Sequence, residues 1–93
     1  MTQADVRIER LRALHDRLAV PDPWPENLDE NEQDVWMDRV GADGDLAGLI
    51  GSAIHGQRFE ASELKKYRAA SEQFGSRLDA DSVAEAYRLL AER

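Results

Sequence analysis

The sequence predicts an all-α protein: one small domain, residues 1–93, folded as a compact bundle of about five short helices with a proline-rich connector between the first and second. Three observations carry this. Apolar residues recur at steps of three and four along most of the chain, no stretch alternates with period two, and the periodic stretches are bounded by capping residues, glycines or prolines. Ninety-three residues suffice for one core. Leu, Ile, Val and Phe together number 20, just above the level at which highly charged chains stay disordered. The core is therefore expected to be thin, and a homodimer that buries more surface is a competing arrangement.

In the first helix, Ala4, Ile8, Leu11, His15 and Leu18, with Leu14 alongside, form one apolar stripe between Thr2, the expected cap, and Ala19. Pro21, Pro23 and Pro25 forbid continuation, because each proline fixes its own φ and pushes the preceding residue away from the helical region. The second helix is expected to open on Asp29, with Glu32 spaced three residues on as a capping box, to turn Val35, Trp36 and Val40 inward, and to close at Gly41. Asp45 then caps a third helix whose apolar face is Leu46, Leu49, Ile50, Ala53 and Ile54, ending at Gly56. Gly48 and Gly51 inside it cost about 1 kcal/mol each relative to alanine, which points to close approach of another backbone. A fourth helix runs from Ala61 to Phe74 with Leu64, Tyr67, Ala70 and Phe74 on one side, and stops at Gly75. The fifth begins near Asp81, with Ser82 and Glu85 spaced as a second box, and buries Val83, Ala86, Tyr87 and Leu90.

Chemistry-bearing motifs fail one by one. Cysteine is absent, which removes disulfides, thiolate metal sites and a nucleophilic thiol. An EF-hand loop opened by Asp29, Asn31 and Gln33 would need glycine at its sixth position and glutamate at its twelfth, where Asp34 and Val40 stand. Gly41-Ala42-Asp43-Gly44-Asp45 reads as a turn before a capped helix, without need of a cation. Gly41, Gly44, Gly48 and Gly51 match no phosphate-binding loop. His15 and His55 belong to no metal or nucleophile motif; His15 is expected half-buried on the inner face of the first helix, and His55 at a helix carboxyl end. The reading is of a protein with no catalytic residues, no cofactor and no metal. The polar first ten residues and the absence of an apolar run of eighteen predict neither a signal peptide nor a membrane span, so the cytosol is the expected location. Ten arginines against two lysines and thirteen alanines suit GC-rich codons of the kind found in bacteria and phages.

Charge is distributed unevenly. Residues 1–20 carry four arginines and three acids, and residues 47–93 carry seven acids and seven bases, whereas residues 21–46 carry nine acids and one arginine. The whole excess of −7 therefore falls on the connector, the second helix and the following turn. Elsewhere opposite charges stand three or four apart: Glu9, Arg12 and Asp16; Glu63 and Lys66; Arg68 and Glu72; Glu85, Arg88 and Glu92. In the second helix, Glu30, Asp34 and Asp38 instead follow one another at i,i+4 on one ridge.

That ridge supports three readings. It is solvated, or paired internally with Arg7, Arg10 and Arg17; or, with Trp24 and Trp36, it docks on a basic surface of another protein, as a regulator or inhibitor would; or it imitates a phosphate backbone in a nucleic-acid-binding cleft. Trp24 itself is expected to fold back and plug a gap between helices. Two other classes compete. One is a homo-oligomeric structural or assembly protein that uses the glycine-bearing helix or the Leu11 and Leu18 stripe. The other is a DNA-binding protein, because the segment from Leu46 through His55–Phe59 to the helix after Ala61 has a helix-turn-helix outline. Between Asp45 and Gly75 four acids balance four bases, so the charge argues against nucleic acid.

Overall fold

A computed structural model, which describes residues 3–20 and 23–92, consists of four helices in place of the expected five: α1 (Gln3–Ala19), α2 (Glu30–Ile54), α3 (Ala61–Phe74) and α4 (Ala80–Ala91). No strand occurs among the described residues. Thr2, the expected cap of the first helix, and Pro21 and Asp22 of the connector lie outside them.

The difference in number arises at residues 41–45. Gly41 does not end a helix and Asp45 does not cap one; both lie inside α2, which runs unbroken for 25 residues. The cause is tertiary. Ala42, Asp43, Leu46, Leu49, Ile50 and Ala53 make one buried face, and burial of each large apolar side chain contributes about 1.5–3 kcal/mol, against about 1 kcal/mol for each helical glycine. The expected close approach of a second backbone at the glycines is not found. A Cβ added at Gly41, Gly44 or Gly48 would meet nothing within 4 Å, and at Gly51 only the His15 Nε2, at 3.9 Å.

Other boundaries follow local chemistry. Asp29 is the amino-terminal cap of α2, its Oδ1 accepting the Glu32 N–H at 2.8 Å. The carboxyl end of α2 is His55, followed by Gly56 at φ +97°, a conformation other residues adopt with strain. α3 opens with the Glu63 carboxylate accepting the Glu60 N–H at 3.1 Å and ends before Gly75, at φ +86°. α4 is capped by Asp79 rather than by a box on Ser82. Asp79 accepts both the N–H of Ser82 at 3.1 Å and its hydroxyl at 2.8 Å, and Ser82 itself is buried.

The helices run up, down, up and down. Three arginines of α1 set its direction against α4: Arg7 donates to the Leu89 carbonyl at 2.8 Å, Arg10 to Glu85 at 2.8 Å, and Arg17 to Ser82 at 3.0 Å and Asp79 at 3.1 Å. Rising numbers on α1 meet falling numbers on α4, so the two are antiparallel. α2 and α4 touch across the middle of the bundle, while α1 and α3 do not meet among the described residues. Leu11, Leu14, Leu46, Ile50 and Leu90 are fully enclosed, with Ala86 and Tyr87 of α4 beside them. Leu11 and Leu18 therefore serve this core and not a dimer face.

Below the core, the amino-terminal part of α2 continues as an arm: no residue from 30 to 41 is buried. The molecule is accordingly elongated, 48 × 26 × 21 Å. Its radius of gyration of 14.0 Å exceeds the roughly 12 Å expected of a spherical chain this long. No helix of the described residues is long and apolar enough to cross a membrane.

Candidate interaction surface

The arm of α2 brings together the residues singled out by charge. Glu30, Asp34 and Asp38 are all exposed, and successive members stand one helical turn apart. None of the three makes an ion pair or hydrogen bond with a described side chain. The arginines expected as internal partners are engaged elsewhere, since Arg7, Arg10 and Arg17 all bind α4. Arg39, the only base between residues 21 and 46, reaches Asp43 at 3.4 Å. The ridge thus keeps its charge facing water, and internal neutralisation by α1 is overturned. At the head of the arm, the Glu32 N–H bonded to Asp29 holds the Asp29 carboxyl below its ordinary range, favouring the charged form at the positive end of the helix dipole.

Trp24 does not plug a gap between helices. It is 56% exposed and rests edge-on against Trp36, with ring centroids 4.8 Å apart and planes at 67°. Such a pair contributes about 0.5–1.5 kcal/mol beyond its buried area and pins the connector to the arm. Val35, expected in the core, is 66% exposed; Trp36 and Val40 are half-buried. Val35 shares an open groove of about 510 Å³ with Pro25, Leu28, Trp36 and Phe74, and Glu32 and Arg39 also line it. Sequence reading missed Leu28, Pro25 and Phe74 as parts of one surface, because only the antiparallel return of α3 brings residue 74 beside residue 35.

Asp43, read from sequence as a turn residue, is a buried carboxylate. It accepts the Ser76 hydroxyl, the Arg77 N–H at 2.9 Å and the Arg39 guanidinium at 3.4 Å, tying the α3–α4 loop to the middle of α2. The signal available beforehand was its position on the apolar face of a continuous helix; the misplaced break at Gly41 hid it.

No family model, curated protein or solved structure matches the chain. The chemistry of the surface is thus the guide to what it does. His15 is half-buried on α1, and His55 caps the carboxyl end of α2; both line a shallow groove with Gly48, Gly51 and Ser52. Among the described residues no group of three or more His, Asp or Glu gathers as a metal-holding cluster. The surface at the arm is of another kind: three unpaired carboxylates in a row beside exposed aliphatic and aromatic side chains. Such a surface can attract a cationic partner over several ångströms and then exclude water over a small apolar patch.

Proposed function

We propose that the chain is a small acidic interaction module, without catalytic activity, that binds a basic surface of another protein through residues 21–46, in the manner of a regulator or inhibitor. The observation that carries this reading is the ridge of Glu30, Asp34 and Asp38, exposed and unpaired while Arg7, Arg10 and Arg17 are committed to α4. Like charges at i,i+4 each cost a helix about 0.2–0.5 kcal/mol. The arm carries two such pairs, and a cationic partner would relieve them. Charge of this density also raises association rates at low salt.

The test is recovery of partners from host lysate by the tagged protein at low and moderate salt, beside a Glu30→Lys, Asp34→Lys, Asp38→Lys variant of equal helicity by circular dichroism. The reading requires a protein that is retained by the native chain, lost with salt and lost on reversal. Identical recovery by both forms would refute it. Whether a recovered partner also binds nucleic acid, and releases it to this chain, separates simple docking from imitation of a phosphate backbone.

A further inference from the structure

The side of α2 that fills the core does not end where the core ends. At about 100° per residue, Asn31, Val35 and Arg39 fall on the same side of the helix as Ala42, Leu46, Ile50 and Ala53. Leu46 and Ile50 are 0% exposed beneath the other helices, whereas Val35 is 66% exposed and Phe74, at the end of α3, 37%. The arm thus repeats the packing side of α2 for about three turns, flanked by Pro25 and Leu28 of the connector and by Phe74, with none of its described residues buried.

We propose that this groove receives the apolar face of a basic amphipathic helix from a partner protein, which would cover the arm as the neighbouring helices cover the rest of α2. The proposal rests on the reading of the acidic segment as an interaction surface and adds the form of the partner and its point of contact. Three arguments select this occupant. This stretch is helical, so side chains spaced at i, i+3 and i+4 on a second helix match its grooves. Its surroundings are acidic: Glu32 lines it, Asp38 is the i+3 neighbour of Val35, and Arg39, which also lines it, is held by Asp43. A neutral or acidic helix would strip water from those carboxylates without replacing it, while lysines or arginines flanking an apolar stripe would pair with them. A second copy of this chain fits poorly, because a two-fold contact through the groove sets one ridge against the other.

The experiment uses the full chain, isotope-labelled for NMR, and three designed peptides of about four helical turns: one of leucine and lysine in amphipathic order, one with glutamate for every lysine, and one with serine for every leucine. The leucine–lysine peptide is expected to bind with shifts concentrated at residues 25–39 and 74. Val35→Ser together with Phe74→Ser should weaken it about tenfold or more, at unchanged helicity, because the side chains that anchor it are gone. The leucine–glutamate peptide should not bind.

Several results would overturn the proposal. One is no binding of the leucine–lysine peptide at about 1 mM; another is equal binding to the Val35→Ser, Phe74→Ser variant. If the serine–lysine peptide binds as well as the leucine–lysine one and both are lost on ridge reversal, the groove proposal falls while acidic docking stands. If leucine–lysine binding ignores both salt and ridge reversal, the acidic reading falls and takes the proposal with it. A concentration-dependent dimer in light scattering, abolished by Val35→Ser, would assign the groove to a second copy and overturn it too.

Discussion

Single residues in this chain have roles set by what they touch rather than by their type. Asp43 is the clearest case: a carboxylate buried beneath Ser76 and Arg77 holds a loop 33 residues away. Asp43→Ala leaves the Arg77 N–H and Ser76 hydroxyl without their acceptor and is expected to cost about 2–4 kcal/mol in urea unfolding. Asp43→Asn keeps one acceptor oxygen and should cost less. Trp24 supplies a second residue-scale prediction. Because its ring lies outside the core against Trp36, acrylamide should quench Trp24 readily in a Trp36→Phe variant, with emission near that of exposed tryptophan. Shielded, blue-shifted emission would contradict its place on the surface.

At the scale of elements, α1 and α4 are joined along their length by arginines, and this joint sets the acid response. The Ser82 hydroxyl and Arg17 bring Asp79 to about 2, and the Arg10 guanidinium holds Glu85 below its usual value. Both carboxyls have lower pKa values folded than unfolded, so the unfolded chain binds more protons and their contribution is present above the ordinary carboxylate range. Thermal midpoints should therefore fall as pH drops from about 4 towards 2, and Arg17→Ala should flatten part of that fall. α2 has the opposite character, since it carries costs that its own contacts do not require. Gly44→Ala and Gly48→Ala meet empty space and are each expected to stabilise the protein by about 0.5–1 kcal/mol in the same urea titrations. Asp34→Lys replaces two like-charge pairs by two opposite ones; it should raise stability by about 1 kcal/mol and reduce the salt dependence of the thermal midpoint. A loss of stability in that variant would mean that Asp34 has a partner in the fold.

The whole molecule divides into a packed end and a bare one. In the packed end, Leu14 and Ile50 are fully enclosed, and truncation of either to alanine is expected to cost about 2–5 kcal/mol, enough to unfold much of a domain with a core this small. The bare end is the arm, where Val35→Ser should change stability by no more than about 0.5 kcal/mol. The contrast between those two measurements would locate the boundary between what the chain uses to fold and what it leaves available for contact.

Helical class, the span of α3, the caps at Asp29 and Gly75 and most of the core face were legible in the sequence, because each depends on residues within a few positions of one another: apolar spacing, a side chain accepting from its own helix end, a glycine free to take positive φ. The acidic ridge was legible for the same reason, since i,i+4 neighbours on a helix are neighbours in space; its exposure was not, because the commitment of Arg7, Arg10 and Arg17 to α4 decided it. Continuity of α2 through Gly41 and Gly44 was not, because local propensity favoured a break and only burial against the other helices outweighed it. The pairing of Arg7, Arg10 and Arg17 with α4, the burial of Asp43 and the meeting of Val35 with Phe74 were likewise decided by tertiary structure. Each joins residues more than thirty positions apart, whose proximity follows from the order in which the four helices pack and from no pattern along the chain.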